Sequence, residues 1–509
     1  MRPLSLGAAG PLAEAGTTGE GLKFEVRSSK YKVGDGCRIP EPSGTSPLDA
    51  AAARPLNRRM TPKAFPVFSR RAFLQRCAAL AAASGLPAWW IERELSAAEA
   101  PPAPRSANDR PGILLVGCGG MGRGDAQNAL RFGEVIAVCD VDAGHVEAAA
   151  KQFTHDGKAP AKFRDFRQAL AHPGVHVVIN ATPDHWHTLI NLAAVRAGKD
   201  VYAEKPLTLT IDEGRRLVRA VREKRAVLQT GTQQRSDNRF RLACELVRNG
   251  RLGRLQQITV YLPAGLRAGP FAPAPVPPGL DWDFYLGQAP KVEYVKERCH
   301  TTFRYWLDYS GGTITDWGAH HNDIARWALG QDGPLTVTGK VLAEPIPGGY
   351  TAISEYEVSY TWPGGVRQVV RTTTDDNIFG GVVNKDGQRH GIRFEGSEGW
   401  LWVTRGDIEA SREDILTTPL PPGAERLEAS ADHMGNFFAC VRSRRNPIAH
   451  VEVGHRSASV GHLATIALRL RRPLTWDPAR EEFTGEGATE ANAHVAREMR
   501  APYDYSFIG

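Results

Sequence analysis

The chain has 509 residues, of which 42% are hydrophobic and 23% charged. This is the composition of a folded globular protein that is too long for one ordinary domain. The formal net charge is +7, but residues 1–100 hold 14 Lys and Arg against 9 Asp and Glu, so that only +2 remains for the rest. The charge therefore gives no support for a nucleic-acid partner, and we expect none.

Residues 1–59 show neither helical nor strand periodicity and are rich in Gly, Pro, Ser and Ala. We expect a disordered extension or a start codon that has been placed too early, with Met60 as the alternative start.

The sequence SRRAFL at 69–74 is a twin-arginine pattern, followed by a small apolar segment at 77–90 and small residues at 96–100. Residues 60–100 are therefore predicted to be a Tat export signal cleaved near 97–100. The mature protein would then lie in the periplasm or outside the cell, free of the membrane. The alternatives are a membrane anchor or a chance arginine pair, although the apolar segment is too short to span a bilayer.

The strongest motif is the glycine turn that follows the apolar run at 113–116. Gly117, Gly119 and Gly122 have the spacing G-x-G-x-x-G, and residues 125–130 behind them are predicted to be helical. In a dinucleotide-binding fold the first glycine permits the tight turn, the second lets the backbone approach a pyrophosphate, and the third lets helix and strand pack closely.

A second apolar strand at 135–139 ends at Asp140, 18 residues past Gly122. A carboxylate at this distance binds the ribose of a dinucleotide. No Arg follows Asp140 to receive a 2'-phosphate, so NAD is predicted rather than NADP. Gly120 and Met121 belong to the same turn and are also predicted to contact the cofactor.

Further elements continue a doubly wound fold over residues 111–233. Residues 163–171 are predicted to be a helix, 175–181 a strand, 187–197 a helix, and 201–203 and 226–230 strands. The loop TPDHWH at 182–187 and the tripeptide Glu204-Lys205-Pro206 follow strands, at the sheet edge where such folds bind ligands.

After residue 233 the pattern changes, and we predict a second domain at 234–480 and a tail at 481–509. A helix is expected at 238–249. Residues 263–290 form a long irregular segment that ends in Trp282, Phe284 and Tyr285, for which packing is favoured over stacking on a sugar. The predicted strands are 255–262, 335–344, 355–362, 366–374, 391–395 and 400–405, and the closing helices are 432–442 and 451–470.

Lys205 is the candidate acid or base. A hydride leaves a sugar carbon readily only if the hydroxyl proton leaves as well, which requires an acceptor within hydrogen-bond reach. A partly desolvated lysine beside a positive nicotinamide ring would be suited to this role. Pro206 keeps Lys205 out of a helix. Taken alone, the tripeptide is equally compatible with a solvated lysine at a strand end.

Asp316 and His320 lie one helical turn apart, so on a helix they share a face. Together they could hold the substrate hydroxyls and relay the proton that Lys205 moves. His321 could ligate a metal with Asp316 or Asp323, but a supporting or helix-capping role is favoured because no further ligand cluster has metal spacing. We predict no metal.

These motifs together resemble the glucose-fructose oxidoreductase and inositol dehydrogenase superfamily, Gfo/Idh/MocA, over about residues 111–480. The resemblance rests on the glycine turn, Thr182-Pro183 with His187, Glu204-Lys205-Pro206, Gly311-Gly312, and Asp316 to His320. It implies an α/β protein in which a Rossmann doubly wound parallel sheet precedes an α/β domain. That second domain has a large open, mostly antiparallel sheet, which often mediates homo-oligomerisation.

The resemblance also implies roles for individual residues. Lys205 would lie beside the nicotinamide and the reacting hydroxyl, His320 near that hydroxyl, and Asp316 would bind or orient the substrate. The remaining cofactor contacts are predicted at Thr182, Pro183, His187 and Glu204, and the remaining substrate contacts at Arg304, Trp317 and His321.

An exported enzyme has no pool of NAD with which to exchange its cofactor. We therefore expect a tightly held dinucleotide and a reaction that returns it to its starting state. Three functions stay open: a sugar or polyol oxidoreductase, a redox-assisted glycoside hydrolase or lyase, and a non-catalytic sugar-binding or regulatory protein. Retention of Lys205, Asp316 and His320 argues against the third.

Overall fold

The computed structural model describes residues 70–97, 110–373 and 390–509. The predicted extension at 1–59, the start of the twin-arginine motif and the predicted cleavage site after residue 97 lie outside these ranges. The described chain opens with two helices, α1 (Arg70–Ser84) and α2 (Ala88–Ala97).

The first domain is built on a parallel sheet of six strands in the order β3-β2-β1-β4-β5-β6. Its central strands are apolar runs buried on both faces, as parallel sheets require. The strands are β1 (Gly112–Val116), β2 (Glu134–Cys139), β3 (Ala161–Phe163), β4 (Val175–Asn180), β5 (Asp200–Ala203) and β6 (Leu228–Thr230). The helices between them are α3 (Gly120–Ala129), α4 (Ala143–Gln152), α5 (Phe166–Leu170), α6 (Asp184–Arg196) and α7 (Ile211–Lys224).

The second domain contains a sheet of nine strands in the order β13-β12-β11-β7-β10-β9-β8-β14-β15. Every neighbouring pair is antiparallel except β7 and β10. The strands are β7 (Leu255–Pro263), β8 (Thr336–Ala343), β9 (Glu355–Thr361), β10 (Arg367–Thr373), β11 (Gly391–Gly396), β12 (Gly399–Thr404), β13 (Asp407–Ala410), β14 (Leu474–Asp477) and β15 (Glu482–Thr484). The fold class predicted from the sequence is therefore confirmed.

Three helices cover one face of this sheet and bury its main core, which is rich in aromatic residues such as Tyr356, Tyr360 and Trp362. They are α8 (Asn238–Arg248), α10 (Trp317–Leu329) and α13 (Val451–Leu470). The helix α12 (His433–Ser443) packs instead on the first sheet, where Phe437 and Phe438 join the core of the Rossmann domain. The shorter helices are α9 (Trp282–Leu286), α11 (Glu413–Thr417) and α14 (Ala488–Asn492).

Several predicted boundaries were wrong. The helix predicted at 163–171 is the shorter helix α5, and the edge strand β3 that ends at Phe163 precedes it. The strands β3, β13, β14 and β15 and the helices α4 and α7 were not predicted. Helix α3 begins at Gly120 rather than at 125, and α6 begins at Asp184 rather than at 187, because each starts directly at the end of a loop that contacts the sheet edge.

The segment predicted to be a tail is folded. It contributes β15 and α14, and its last residues return to the first domain. There Tyr503 and Phe507 pack against Trp186 of α6, and Arg500 pairs with Asp283 at 2.9 Å. The C-terminal residues thus connect the two domains rather than trail from them.

Helix α2 lies within the predicted signal segment, yet its apolar side joins the core of the second domain. Trp90 is fully buried, with the guanidinium groups of Arg93 and Arg241 lying 4.1 and 4.6 Å from its ring centroid. Glu94 pairs with Arg241, and the indole N–H of Trp89 donates to the carbonyl oxygen of Leu416 at 2.8 Å. No helix in the described ranges is long and apolar enough to span a membrane.

We predict that Trp90→Ala lowers the free energy of unfolding by about 3–5 kcal/mol, because it removes a fully buried indole and leaves a cavity. Urea denaturation of the full chain measures this change. Leu95→Ala on the same helix is the control, because Leu95 is exposed and its loss should cost no more than about 0.5 kcal/mol. Equal small losses in both variants would show that α2 adds nothing to the stability of the domain.

Candidate functional site

The glycine turn is shaped as the sequence predicts. Gly117 has φ +88°, and a Cβ built there would lie 2.6 Å from the backbone of Ala181, while one on Gly122 would lie 2.0 Å from the carbonyl oxygen of Gly117. These two glycines therefore let β1, α3 and the end of β4 meet. In contrast, a Cβ on Gly119 or Gly120 meets nothing within 4 Å, so these positions face open space.

That open space is the cleft at the carboxyl edge of the first sheet. Predicted cofactor residues that line it are Gly117, Gly119, Gly120, Met121, Asp140, Thr182, Pro183, Glu204 and Lys205. Gly122 lies beneath the turn as a packing residue. The cleft therefore brings nine of the eleven predicted cofactor residues together.

The carboxylate of Asp140 is fixed by the backbone at the end of β2. It accepts hydrogen bonds from the N–H of Cys118 at 2.7 Å and from the N–H of Asp142 at 3.0 Å. The ring of His145 lies 3.4 Å from the same carboxylate, which raises the pKa of His145 above its ordinary value. Asp140 thus faces the cleft in one orientation, as a ribose-binding carboxylate must.

His187, which was predicted as a cofactor contact, is not among the residues that line the cleft. It is buried, and its ring nitrogens lie 2.7 and 2.9 Å from the carbonyl oxygens of Pro206 and Thr182. The imidazole therefore joins the loop after β4 to the turn after β5. Its part is to position the turn that carries Lys205.

The ammonium group of Lys205 donates to the carboxylate of Asp316, which lies immediately before α10 in the second domain. Arg304 also reaches this carboxylate, with its Nε at 3.3 Å. Burial alone would raise the pKa of Asp316, but Lys205 and Arg304 outweigh it and hold the pKa below its ordinary value. Asp316 is therefore an anion shared by two cations at the mouth of the cleft.

His320 follows Asp316 by one turn of α10 and is also buried. Burial, followed by the positive charges of Lys205 and Arg405, holds the pKa of His320 well below its ordinary value, so the imidazole is neutral at pH 7. Its buried Nδ1 has no hydrogen-bond partner in the described part of the chain. The site thus contains a neutral proton acceptor beside a lysine and an ionised carboxylate.

His321, which was predicted as a substrate contact, is not among the residues that line the cleft. It is fully buried, with Nε2 lying 3.0 Å from Nδ1 of His390 and Nδ1 lying 3.2 Å from the Gln234 amide. Trp317 is half-buried and lies against His390, with 4.4 Å between ring centroids. Trp317 therefore packs against the buried pair His321 and His390.

The second domain supplies the opposite wall of the cleft. Phe284 and Tyr285, near the end of the irregular segment, line it and pack around Trp186 of α6. Both residues thus make packing contacts while also facing the cleft. The rest of this wall consists of His300, Thr301, Phe303 and Arg304.

At the Asp140 end of the cleft, Asp142, His145 and His300 lie close enough to hold a metal ion, with potential ligand atoms within 4.8 Å of one another. The sequence did not predict this trio, because His300 comes from the second domain. Asp142 caps α4 through the N–H of Gly144 at 2.7 Å, and His300 lies 3.2 Å from Asp142. Through these contacts the three side chains link the first domain to the second.

The residues present fit a dinucleotide. The unfilled space above Gly119 and Gly120 lies at the N-terminus of α3, where backbone N–H groups favour a pyrophosphate. Asp140 lies at the ribose position, and Lys205 with Glu204 lies at the opposite end of the same cleft. The fit to a dinucleotide is therefore supported by the shape of the backbone at the glycine turn and by the side chains that line the cleft.

Sequence reasoning missed several polar residues around this site: Asp184, Ser310, Gln234, His390 and Arg405. Asp184 was part of the predicted loop but was given no role, and it accepts a hydrogen bond from the Ser310 hydroxyl at 2.5 Å. Its place as the first residue of a helix at a sheet edge was a usable signal. The other residues carry no local motif and meet only in the fold.

Comparisons with known proteins agree with this geometry. The profile described as "Oxidoreductase family, NAD-binding Rossmann fold" matches residues 112–232, and "Oxidoreductase family, C-terminal alpha/beta domain" matches residues 264–505. The scyllo-inositol 2-dehydrogenase (NAD(+)) of Bacillus subtilis (strain 168) is 24% identical over 384 residues, which is 73% of this chain and 97% of that protein. The myo-inositol 2-dehydrogenase of Thermotoga maritima is 24% identical over 374 residues, with 71% and 97% covered.

Among solved structures, a levoglucosan dehydrogenase in complex with NADH and levoglucosan has a TM-score of 0.53 at 18% identity, with 72% of this chain and 99% of that one covered. This likeness shows a shared fold. Together with the two profiles, which span both domains, it agrees with the family resemblance in the sequence. The chain therefore belongs to the Gfo/Idh/MocA family and is an NAD(P)-dependent oxidoreductase.

Proposed function

We propose that this enzyme oxidises a hydroxyl group of a sugar, polyol or glycoside, with NAD held in the cleft as the hydride acceptor. The observation that carries the proposal is the contact between Lys205 and Asp316. These residues are 111 positions apart and come from different domains, yet their side chains meet at the end of the cleft that begins at the glycine turn. The two inositol dehydrogenases among its relatives support the substrate class.

NAD, when bound, supplies the acceptor for the hydride, and the chain's own residues handle the proton. His320 is neutral and therefore able to accept the proton of the substrate hydroxyl. The Lys205 ammonium, directed by Asp316, orients the same oxygen and stabilises negative charge as the proton leaves. In this division Lys205 and His320 share the acid–base work that the sequence assigned mainly to Lys205, and Arg304 helps to hold Asp316.

We propose NAD rather than NADP, and tight retention of the cofactor. The Asp140 carboxylate would repel a 2'-phosphate at the ribose position. Retention is supported by His300 and Arg304, which extend from the second domain over the two ends of the cleft. A dinucleotide held between two domains leaves only when they separate, and this suits a reaction that restores its own cofactor.

We further propose that the twin-arginine segment directs export of the folded enzyme. The docked helix α2 adds a constraint to this proposal. Processing near 97–100 would remove the buried Trp90 and the Glu94 partner of Arg241, whose side chain is only 3% exposed. The packing therefore favours an exported chain that keeps residues 70–97.

We also propose homo-oligomerisation through the second sheet. The helices α8, α10 and α13 cover one of its faces. On β8 the side chains of Thr338 and Leu342 are exposed, so that an uncovered face is available to a second copy of the chain.

The catalytic proposal predicts that Lys205→Ala lowers kcat by about 10²–10⁴-fold, because a group that orients and stabilises the reacting oxygen is lost. NADH formation with a panel of sugars and polyols measures the change, and dinucleotide binding should stay within about threefold of the wild type. The control is Lys162→Ala, which removes an exposed lysine paired with Glu147. Unchanged kcat in Lys205→Ala would contradict the proposed role, and a wild type inactive on the whole panel would contradict the proposed function.

The retention proposal predicts that protein purified from the exported fraction carries one dinucleotide per subunit without any added NAD. Native mass spectrometry reports this occupancy, the subunit number and whether residues 70–97 are present. His300→Ala should lose the dinucleotide more quickly on dialysis, whereas His155→Ala, which changes an exposed histidine far from the cleft, should not. Empty wild-type protein would overturn tight retention.

Asp184 should make stability depend on pH. It is buried, and burial raises its pKa from 3.8 to about 7 despite the hydrogen bond from Ser310. The unfolded carboxyl loses its proton near pH 4, whereas the folded one keeps it to about pH 7. The folded state thus binds more protons in this window, and the contribution of Asp184 to stability falls as the pH rises from about 4 to 7.

We therefore predict that Asp184→Asn, which cannot titrate, gains stability relative to the wild type as the pH rises from 4 to 7, by at most about 4 kcal/mol. Urea denaturation at several pH values measures the difference between the two proteins. Asp156→Asn, at an exposed position, should give a curve parallel to that of the wild type. A constant difference between Asp184→Asn and the wild type would contradict the buried, protonated carboxyl.

A further inference from the structure

Arg405 lies at the same edge of the second sheet as the N-terminus of α10. It directly follows β12, next to His390, which precedes β11, and the hydroxyl of Thr404 donates to the carbonyl oxygen of His390 at 2.7 Å. The guanidinium group lies 5.1 Å from the ring centroid of Trp317, immediately after Asp316. The fold thus brings an arginine from a strand end to the side of the catalytic group.

This arginine has no acidic partner within 4 Å in the described part of the chain. Its Nε–H donates a hydrogen bond to the side-chain oxygen of Gln234 at 3.2 Å. This holds for the amide orientation in which the Gln234 nitrogen donates to Nδ1 of His321. The two terminal nitrogens make no hydrogen bond to a described residue. A guanidinium that is fixed through Nε and stacked on an indole presents these two donors in a defined direction.

The charges around the site leave an excess of positive charge. Among the described residues, Lys205 and Arg304 both contact the Asp316 carboxylate, whose pKa is lowered, and Arg405 interacts with the same carboxylate at longer range. Burial raises the pKa of Asp184 and also that of Glu204, which weakens both as counter-ions. Asp237 attracts Arg405 at longer range, but its carboxylate caps α8 and pairs with Arg239 at 3.5 Å.

Burial of a cation without a paired anion is costly, and a site that retains one gains most from an anionic ligand. A planar guanidinium with two free parallel donors matches a carboxylate in a bidentate pair. The arrangement is suited to a ring with a carboxylate at one end and the reacting hydroxyl at the other.

We infer that Arg405 is a specificity-determining residue and that the preferred substrate is an acidic sugar, a uronic acid whose carboxylate binds the two terminal nitrogens of Arg405. This inference rests on the proposed oxidation of a sugar hydroxyl at Lys205 and His320, and it adds the charge of the substrate. The reaction itself is unchanged: the hydride goes to NAD, the hydroxyl proton goes to His320, and the carboxylate takes no part in bond breaking.

The test compares sugars that differ only at the carboxylate, namely glucose with glucuronate and galactose with galacturonate. The holoenzyme is assayed by NADH formation, or by reduction of a second sugar where the cofactor is retained. We expect kcat/KM for the acid to exceed that for its neutral partner by at least tenfold in one pair. Preference for the neutral sugar in every pair overturns the inference while leaving the proposed function intact.

Variants separate recognition from a merely structural role. Arg405→Gln, which can still donate to Gln234, should lower kcat/KM for the acid about 10–100-fold more than kcat/KM for the neutral sugar, mainly through KM. Arg405→Lys should lie between this variant and the wild type. The control is Arg371→Gln, at a half-exposed position on β10 where Arg371 faces Glu357 at 3.9 Å, and both substrates should be unaffected.

An equal loss for acid and neutral sugar in both Arg405 variants would mean that Arg405 only supports Gln234 and His321, and it would overturn the inference. Inactivity of the wild type toward every sugar would instead overturn the proposed function, and this inference with it. The two failures are therefore distinguishable in one set of assays.

Discussion

The ion pair between Lys205 and Asp316 is the contact on which the architecture of the site depends. Lys205 stands after β5 of the parallel sheet, and Asp316 stands before α10 of the second domain. Neither domain holds the pair alone, so the site exists only where the domains meet. The buried His187 fixes the turn on one side, and Arg304 fixes the carboxylate on the other.

The same junction explains why the protonation states differ so much between neighbouring groups. Asp316 faces two cations and is held as an anion, whereas Asp184 is buried beside a hydroxyl and retains its proton to about pH 7. His320 loses its charge because it is buried among cations. One small volume thus contains an ionised acid, a neutral acid and a neutral base, and the environment of each decides its state.

The first domain could be predicted from the sequence because its signals are local. The glycine spacing, the strand before it and Asp140 at the end of the next strand depend on short stretches of chain, and the structure places all of them in one cleft. Lys205, Asp316 and His320 could also be identified from the sequence as candidate catalytic residues, because they belong to motifs at the ends of strands and helices. The strand β3 was missed because three residues at a sheet edge carry too little apolar pattern to distinguish them from the helix that follows.

The residues that sequence reasoning missed or misplaced are those whose role comes from a distant partner. His187 and His321 were predicted as contacts from the family resemblance, but both ring nitrogens of each histidine lie within hydrogen-bond distance of other groups of the chain. His300 and Arg405 belong to no sequence motif. The role of His300 depends on its contact with Asp142 across the domain junction, and that of Arg405 on its contact with Trp317 at a strand end. Spacing identifies which residues share a helix face, but it does not reveal which of them the opposing domain covers.

The folded C-terminal segment shows how the junction is kept closed. Tyr503 and Phe507 pack on Trp186 of the first domain, while Arg500 of the same segment pairs with Asp283 of the second. Because Asp283 belongs to the helix that also places Phe284 at the cleft, this contact holds the wall of the cofactor site as well as the domains. The aromatic contacts of this segment with Trp186 and its ion pair with Asp283 therefore stabilise the same junction that forms the cleft.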